Sequence, residues 1–572
     1  MSTAGSKEGN EKDASNQHKV SSIIVNSLVT AGVKTVFGIP GAKIDAVFNE
    51  IIDHPDIKLI VCRHEQNAAF MAAATGRITG TPGVCVATSG PGSSNLATGL
   101  LTATTEGDPV VAIIGSVPRS MNTHRTHQSS KALDVLGPTC KAAIAIDVED
   151  QTAEVILSAF RQASTLPRGA SVVSLPADVA KGESKYLSFP REAFAPPLHG
   201  PASEASVSKA AEMIQNAKLP VLFLGLRASS PPVVTAVRKL LEKFPLPTVE
   251  TFQAAGAVSQ ELVHLFYGRV GLFRNQTGDK LLAKADLVIA VGYDTVEYDA
   301  NAWNPDGKQR IINIDAQPSD YGVYYRPELE LPGSISQTLT NISRNLKSVP
   351  DPAKSEVCQK LQKDYRSWRE SNDVKRTSGL VHPLHFISAL QTRVNKDTTV
   401  CVDVGTLYIY MMRYFFAYEP RRLLCSDGQQ TLGVALPWAI AANLAQEPPC
   451  SEKVVSISGD GGFMFSSQEL VTAVQQKCNI THFIWNDSAY NMVEFQEEMK
   501  YGRSSGVALG GVDFAKYAEA FGALGLRIED SSQIDEVMDK ALKHEGVVVV
   551  DVAIDYKDVA GLAQHLISDE AD

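Results

Sequence analysis

Two aspartates in the last third of the chain stand where they could hold a metal ion against a phosphate group. Asp460 lies in a Gly-Asp-Gly-Gly stretch after the apolar residues 454–458, and Asp487 comes shortly after the apolar residues 480–485. The residues between have helical spacing, which predicts a strand–helix–strand unit with parallel strands. Both carboxylates then lie at the strand ends where open α/β sheets bind ligands, and their oxygens suit Mg2+. Two ordinary acidic turn residues are the alternative.

A third acidic candidate, Glu65, lies between a strand predicted at residues 58–62 and an alanine-rich helix predicted at 67–79. The helix dipole stabilises a carboxylate in a first helical turn, and this alone would explain its presence. Turns at Pro40-Gly41 and at Ser89-Gly-Pro-Gly92 are expected on the same sheet edge. A carboxylate placed there could share a proton with a heterocyclic nitrogen. The spacing leaves both explanations open.

Two further loops could face a ligand. Residues 426–433 form a tight turn before an apolar helix, with Leu432 as an apolar knob, although a buried loop leucine is the commoner case. Thr406 follows a strand predicted at residues 399–402 and could bond phosphate oxygens or cap the next helix, two compatible roles.

Polar side chains near these loops could meet a substrate. Residues 492–496 follow the Asp487 turn and should point from the ligand edge towards a substrate. His127 and Gln128 lie in a polar loop after a strand predicted at 109–114 and could donate to a carboxylate. For both groups, ordinary surface loop residues are the default explanation.

Strands and helices alternate along the chain, which predicts an α/β protein with three doubly wound parallel-sheet domains in line. The proline-rich residues 188–201 predict a linker, and residues 350–354 together with the polar, charge-rich residues 359–377 predict a second connection. The expected boundaries are a disordered tail at 1–19, domains at 20–187, 202–349 and 378–556, and a C-terminal tail at 557–572. Among single elements, the pattern predicts helices at 45–52, 95–105, 207–216, 233–244 and 434–445, and strands at 171–175, 221–224, 248–251, 287–291, 311–315 and 547–553.

The composition excludes several classes of protein. The 572 residues are 44% hydrophobic and 20% charged with a net charge of −11, which is typical of globular proteins and argues against a nucleic-acid surface. No apolar run approaches the roughly 20 residues of a membrane helix. Eight scattered cysteines without a CxxC pair predict free thiols in a reducing compartment, and we expect a cytoplasmic protein. Residues 1–19 predict neither a signal nor a transit peptide.

Four motifs occur in an order that resembles the thiamin-diphosphate enzymes of the acetolactate synthase group. They are Arg63-His-Glu65, Thr88-Ser-Gly-Pro-Gly92, Gln430-Thr-Leu-Gly433, and Gly459-Asp-Gly with Asn486-Asp487. The resemblance covers residues 20–556. Four longer stretches resemble the catabolic, FAD-independent acetolactate synthases; they are residues 37–45, 253–258, 268–273 and 428–440.

The resemblance implies a reaction. Pyruvate is decarboxylated on thiamin diphosphate, and the remaining two-carbon unit joins a second pyruvate to give 2-acetolactate and CO2, on the route to acetoin. Mg2+ is expected as the metal. FAD is not expected, because residues 292–298 lack the arginines of FAD-dependent relatives. Those relatives have tryptophan where Gln496 stands, so Gln496 fits pyruvate as second substrate. Similar decarboxylases have two adjacent histidines where this chain has His127-Gln128, which favours carboligation.

The resemblance also implies site residues. Glu65 bonds the aminopyrimidine ring and Leu432 holds the cofactor bent; a methionine stands there in many relatives. Gln128 orients substrate, Gln496 completes the catalytic set, and Lys43 pairs with a pyruvate carboxylate unless it is a solvated helix-start lysine. The implied metal ligands are Asp460, Asp487 and the backbone carbonyl of Ala489. The implied cofactor-binding residues are Glu65, Thr406, Tyr408, Gln430, Leu432, Gly459, Asp460, Gly461, Gly462, Tyr490, Asn491 and Met492.

Oligomerisation is implied in the same way. In the family, pyrimidine-binding and diphosphate-binding edges face each other across subunits, so we expect a homo-oligomer with shared active sites, a dimer at least and a homotetramer by resemblance. Three alternatives remain: a 2-oxo acid decarboxylase, an FAD-dependent biosynthetic enzyme, and a non-catalytic paralogue acting as an assembly partner. The retained Glu65 and Asp460 argue against the paralogue.

Overall fold

The computed structural model describes residues 17–272, 274, 276–370 and 375–557. Most of both predicted tails, at residues 1–16 and 558–572, lies outside the described residues, as does Phe273 in one of the family motifs. The chain divides into two compact units, an N-terminal unit ending at Pro197 and a C-terminal unit beginning at Leu198. No helix in the described part of the chain is long and apolar enough to cross a membrane.

The N-terminal unit contains one six-stranded parallel sheet. The strands of the whole unit are β1 His18–Lys19, β2 Thr35–Gly38, β3 Lys58–Val61, β4 Gly83–Ala87, β5 Val110–Ser116, β6 Ala142–Ala145, β7 Ala170–Pro176 and β8 Glu183–Ser184. Its helices are α1 Val20–Thr30, α2 Asp45–Ile52, α3 Glu65–Thr79, α4 Pro91–Ser94, α5 Ala97–Thr105, α6 Ala132–Leu136, α7 Thr152–Ser164 and α8 Arg191–Phe194. The sheet order is β3-β2-β4-β5-β7-β6, while β1 and β8 pair separately and antiparallel. Apolar residues of α1, α2 and α7 pack on the sheet through Ile24, Val47 and Phe160.

The C-terminal unit contains two further parallel sheets. The middle domain has β9 Pro220–Leu224, β10 Thr248–Thr251, β11 Phe266–Val270, β12 Leu287–Val291, β13 Ile311–Asp315 and β14 Leu329–Pro332. Its helices are α9 Glu204–Asn216, α10 Pro231–Lys243, α11 Thr277–Leu282, α12 Ala300–Trp303, α13 Ile335–Asn345 and α14 Glu356–Glu370. The order β11-β10-β9-β12-β13-β14 is that of dinucleotide-binding sheets, with the switch point between β9 and β12.

The third domain follows in the same unit. Its strands are β15 Val400–Val402, β16 Leu423–Leu424, β17 Val454–Gly459, β18 Ile480–Asn486, β19 Leu524–Ile528 and β20 Val547–Ala553. Its helices are α15 Pro383–Gln391, α16 Thr406–Tyr414, α17 Ala435–Leu444, α18 Asp460–Met464, α19 Leu470–Gln475, α20 Asn491–Tyr501, α21 Phe514–Ala520 and α22 Ile534–Lys543. The order β16-β15-β17-β18-β20-β19 repeats, strand for strand, the order in the first sheet.

The connection predicted at residues 350–354 and 359–377 includes a 15-residue helix, α14, which the sequence pattern did not indicate. Cys358, Leu361 and Tyr365 follow one another at helical spacing and are buried on the middle domain. A narrow apolar stripe is enough to dock a helix whose other positions are charged. The high charge of this segment concealed the stripe.

The middle domain buries a carboxyl group whose ionisation should be visible in stability. Burial raises the pKa of Glu297 to about 8 from 4.5, although the Leu226 amide and the Thr251 hydroxyl donate to it at 2.7 and 2.8 Å. The folded protein therefore keeps a proton that the unfolded chain releases. This contribution to stability is full below pH 4.5 and is lost as the pH rises to about 8.

Glu297→Gln cannot ionise, so its stability relative to wild type should increase with pH. We expect a gain of up to about 1.4 kcal/mol per pH unit between roughly pH 5 and pH 8, measured by unfolding of the cofactor-free protein. Glu242→Gln, on an exposed position of α10, is the control and should follow wild type. A Glu297→Gln variant that also follows wild type at every pH would show that Glu297 is ionised in the folded state.

Candidate active site

The first and third sheets each reverse strand order beside the loops predicted to bind a ligand. In the third domain the switch point lies between β15 and β17, which lead into Asp403 and Asp460. In the first sheet it lies between β2 and β4, and β4 leads into the Ser89–Gly92 turn. Ligands of open α/β sheets bind in such crevices, at the carboxyl ends of the strands. Each half of the candidate site therefore has the expected position in its own sheet.

Asp460 and Asp487 lie at neighbouring strand ends, as predicted. Asp460 is the first residue of α18 and directly follows β17, and Asp487 directly follows the adjacent strand β18. Burial raises the pKa of Asp460, and burial together with the charge of Asp460 raises the pKa of Asp487 to about 7. Asp460 is buried and Asp487 is partly buried, and their carboxylates repel each other. A divalent cation bound between them would stabilise this arrangement.

The donor set at this edge fits Mg2+ rather than a transition metal. The described residues contain no group of three or more His, Cys, Asp or Glu side chains able to hold a metal. Two carboxylates and a main-chain carbonyl would leave positions for water and phosphate oxygens, as Mg2+ prefers. The residues present therefore fit a Mg2+–diphosphate group.

The turn that carries Ala489 and Tyr490 is held by main-chain bonds to a later loop. The Tyr490 amide donates to the Val507 carbonyl at 2.9 Å, and the Leu509 amide donates to the Ser488 carbonyl at 2.8 Å. Ser488 adopts a left-handed φ of 61°. This pairing fixes the main chain on both sides of Ala489.

The glycines after β17 are required for close approach, not for a left-handed backbone. Gly459 has φ −74° and α18 begins at Asp460. The Gly-Asp-Gly-Gly stretch therefore passes directly from strand to helix. A Cβ atom on Gly461 would lie 2.5 Å from the ring of Tyr490, and one on Gly462 would lie 3.3 Å from the carboxyl of Asp403. The small residues bring these side chains against the start of α18.

Gly461→Ala should weaken cofactor binding because the added methyl group displaces the Tyr490 ring. Gly510→Ala is the control, since a Cβ on Gly510 would meet no heavy atom of the described residues within 4 Å. We expect at least a tenfold rise in the dissociation constant of thiamin diphosphate with Mg2+ for Gly461→Ala and less than a threefold rise for Gly510→Ala, by titration calorimetry. Equal effects in the two variants would contradict the close-approach explanation.

Thr406 and Asn491 are brought together across the third sheet. The Thr406 hydroxyl donates to Asn491 Oδ1 at 2.8 Å, and Gly405 before it has φ 132°. Tyr408 is fully buried and its hydroxyl donates to Asp427 at 2.5 Å, while Met492 is partly buried against the same core. Thr406 and Asn491 thus line one corner of the edge, with Tyr408 in the layer beneath.

The Leu432 turn is tied to this edge by a residue to which the sequence analysis gave no role. Asp403 accepts from the Gly433 amide at 2.9 and 3.1 Å, and burial raises its pKa to about 7. Gly433 has φ 85° and Gln430 φ 48°, and Leu432 is half-buried between them. Asp403 therefore fixes the Leu432 turn against α18. The available signal was an acidic residue directly after a strand at the switch point.

Glu65 lies in the first turn of α3 and is 8% exposed. The Asn95 side-chain amide donates to Glu65 Oε2 at 2.9 Å, a partner that the sequence analysis did not identify. A Cβ atom on Gly92 would lie 3.3 Å from Glu65 Oε1, and one on Gly90 would lie 3.2 Å from Gln128. The Ser89–Gly92 turn thus lies next to Glu65, on the edge that the sequence predicted for it, and it also lies next to Gln128.

Two predicted substrate residues have fewer contacts. Lys43 is half-buried before α2, and its carbonyl lies where a Cβ on Gly115 would come within 2.7 Å. Gln496 is exposed on α20. A cavity of about 500 Å³ lies beside α20 and is lined by Asp487 and Asn491, among other residues, but not by Gln496. The substrate roles of Lys43 and Gln496 stay predictions.

Comparison with known proteins identifies the family. Three family models match in order: the thiamine pyrophosphate enzyme N-terminal TPP binding domain at residues 18–136, the central domain at 207–342 and the C-terminal TPP binding domain at 403–552. The acetolactate synthase of Bacillus subtilis (strain 168) is 47% identical over 542 residues, covering 95% of this chain and 94% of the relative.

Two more relatives cover nearly the whole chain. The catabolic acetolactate synthase of Raoultella terrigena is 43% identical over 538 residues, covering 94% of this chain and 95% of the relative. The large subunit of acetolactate synthase isozyme 2 of Escherichia coli (strain K12) is 29% identical over 541 residues, with 93% and 95% covered. The resemblance inferred from the motifs is confirmed. The chain belongs to the acetolactate synthases, within the family of thiamin-diphosphate-dependent enzymes.

Proposed function

We propose that the protein converts two molecules of pyruvate into 2-acetolactate and CO2, with thiamin diphosphate and Mg2+ as cofactors and without FAD. The observation that carries the proposal is that the chain has two constellations, each at the carboxyl edge of its own sheet. Glu65 and Asn95 form one, and Asp460 and Asp487 form the other. A long cofactor with a ring at one end and a diphosphate at the other requires both.

The third domain would hold the diphosphate end. Asp460, Asp487 and the Ala489 carbonyl would hold Mg2+. The Asn491 side-chain NH2, oriented by the Thr406 hydroxyl, and the Thr406 main-chain N–H would donate to phosphate oxygens. Main-chain N–H groups at the start of α16 point out of the helix unpaired by its own ladder and so favour an anion. Leu432, in the turn that Asp403 holds through the Gly433 amide, would contact the cofactor and help to hold it bent.

The first domain would supply the proton chemistry. When bound, thiamin diphosphate supplies a nucleophilic carbon within a cationic ring, and that ring takes up the electron pair released in decarboxylation. Glu65 would share a proton with a nitrogen of the aminopyrimidine ring, while the Asn95 amide orients its carboxyl group. Gln128, next to the same glycine turn, would orient the substrate with Lys43 and Gln496.

The middle domain supports the proposal that FAD is not needed. At its switch point, where a dinucleotide would bind, the Arg227 amide donates to the Gly292 carbonyl at 3.0 Å. The Arg227 guanidinium bonds Asp315 and Asp294 at 2.7 and 2.6 Å, and a Cβ on Gly225 would overlap the backbone of Tyr293. Main chain and an ion-paired arginine thus pack together at the ends of β9 and β12.

Oligomerisation is part of the proposal. Met464 and Phe465 lie at the end of α18, the short helix that begins at Asp460, and each is 46% exposed. Large apolar side chains next to a charged half-site mark a surface that another subunit covers. We propose a homo-oligomer, at least a dimer, in which subunits complete each other's active sites; sedimentation velocity of the purified protein tests this, and a monomer at micromolar concentration would contradict it.

The decisive assay uses pyruvate, thiamin diphosphate and Mg2+ without FAD. We expect acetolactate, detected as acetoin after acid decarboxylation, and a purified protein without flavin absorbance. Omission of Mg2+ with a chelator should abolish the product. Acetaldehyde as the main product would instead identify a decarboxylase, and strict dependence on FAD would identify a biosynthetic enzyme.

A further inference from the structure

Two stretches of the middle domain that carry the family resemblance lie outside both half-sites. They are residues 253–258 and 268–273, of which the structure describes all except Phe273. Both lie against the third domain, where they contact α16 and the segment that follows it. A Cβ on Gly256 would overlap the Glu419 carbonyl, so this contact is made by the main chain itself.

Arg269, in the second of these stretches, caps the C-terminal end of α16. It lies on β11 and is 3% exposed. Its Nη1 donates to the carbonyl of Met412 at 2.9 Å and to that of Phe415 at 2.7 Å. The last carbonyls of a helix have no partner within the helix, and a cation there is favoured by the helix dipole. Arg269 satisfies both needs from another domain.

Arg269 is itself held in place by a buried partner. Glu250 pairs with it in the register of β10 and β11, with 3.4 Å between Glu250 Oε2 and Arg269 Nε. The other oxygen of Glu250 accepts from the Val258 amide at 2.7 Å, at the end of the first stretch. The two stretches are therefore parts of one arrangement that presents a fixed cation to α16.

The opposite end of α16 is the proposed diphosphate edge. The helix has nine residues, which corresponds to about 13 Å, and begins at Thr406, whose hydroxyl bonds Asn491. Tyr408, in its first turn, makes an edge-to-face contact of 5.5 Å with Phe252, from the turn after β10. The middle domain thus contacts this short buried helix at both ends.

We propose that Arg269 is a positioning residue for cofactor binding: by capping the last turn of α16, it sets where Thr406 and the first N–H groups of the helix stand towards the diphosphate. This rests on the proposed function, because it takes the start of α16 as a diphosphate site. The middle domain then contributes to the active site by holding one helix, α16, in position.

Arg238 provides a matched control at the same interface. It donates to the carbonyls of Gly256 and Tyr418 at 2.9 and 2.6 Å and pairs with Glu419 at 3.2 Å. Arg238→Met therefore removes the contacts with Tyr418 and Glu419 between the same two domains, together with the bond to Gly256 within the middle domain. It does not touch α16. A merely structural role of Arg269 predicts the same outcome for Arg238→Met and Arg269→Met.

The test compares Arg269→Met, Arg269→Lys and Arg238→Met in the full-length protein. We expect Arg269→Met to raise the dissociation constant of thiamin diphosphate with Mg2+ at least tenfold, by titration calorimetry. Without cofactor, amide hydrogen exchange across residues 406–414 should be at least tenfold faster. Arg269→Lys keeps a cation that can reach the same carbonyls and should remain within about threefold of wild type. Arg238→Met should lose thermal stability but change neither reading.

The outcomes separate this inference from the proposed function. If wild type binds thiamin diphosphate and Arg269→Met binds it equally well, or if Arg238→Met weakens binding as much, the positioning role is overturned while the function stands. If wild type itself does not bind thiamin diphosphate, the proposed function fails and this inference with it. Should Arg269→Met not fold, Arg269→Gln, which keeps one donor without the charge, provides the same comparison.

Discussion

Glu65→Gln is expected to lower the turnover number for acetolactate by a factor of 10² to 10⁴ while the protein still folds. Proton transfer by a positioned side chain contributes a factor of this size, and glutamine cannot exchange a proton with the cofactor ring. The fold should persist because the glutamine carbonyl can still accept from Asn95, whose amide lies 2.9 Å from Glu65 Oε2. Steady-state kinetics with saturating thiamin diphosphate and Mg2+ measure the loss, and thermal unfolding verifies the fold.

Glu154→Gln is the control for the ordinary explanation of Glu65. Glu154 is also a carboxylate in a first helical turn, that of α7, but it is exposed. If Glu65 served only to stabilise the start of α3, both substitutions would cost about 0.3–1 kcal/mol of stability and leave turnover unchanged. Near-normal turnover of Glu65→Gln would remove Glu65 from the proton chemistry.

Asp487→Asn should have opposite effects on the cofactor-free and the cofactor-bound protein. Burial and the neighbouring charge of Asp460 raise the pKa of Asp487 to about 7, so above this pH the free protein holds two repelling carboxylates. The substitution removes that repulsion, and we expect the Mg2+-free protein to gain roughly 1–3 kcal/mol at pH 8. It also removes one of two anionic ligands, and Mg2+-dependent binding of thiamin diphosphate should fall about 100-fold.

Thermal unfolding with and without Mg2+ and thiamin diphosphate measures both effects. Asp299→Asn is the control, because Asp299 is exposed, accepts from the Asn301 amide at 2.9 Å as the cap of α12, and asparagine caps equally well. It should leave the midpoint and the cofactor-induced shift unchanged. The metal assignment is excluded if Asp487→Asn retains the full shift on adding both cofactors.

The architecture could be predicted because parallel strands leave a strong local signal. The helix Asp45–Ile52 and the strand Val547–Ala553 have the bounds that the sequence predicted. Buried parallel strands are short, apolar runs between glycine and proline turns, and their carboxyl ends must share an edge. Because of that geometry, the strand pattern alone is enough to predict that Asp460 and Asp487 lie at one edge.

Features that depend on tertiary register could not be predicted. The bond between Asp403 and Gly433 joins residues 30 positions apart, and nothing local to either residue indicates it. The edge strand β6 is a partly exposed Ala-Ala-Ile-Ala run and resembles a helix as much as a strand. Arg269 lies within a motif that carried the resemblance, but only the packing of β11 against α16 shows what its guanidinium does.

The identical strand orders of the first and third sheets have an evolutionary consequence. When the strands of each six-stranded sheet are numbered in chain order, the spatial order is 2-1-3-4-6-5 in the first and third sheets and 3-2-1-4-5-6 in the middle sheet. The loop with Glu65 follows the second strand of the first sheet, and the loop with Leu432 follows the second strand of the third. Duplication of one ancestral domain would account for this correspondence. The two ends of one cofactor are then recognised by sister copies of a single fold.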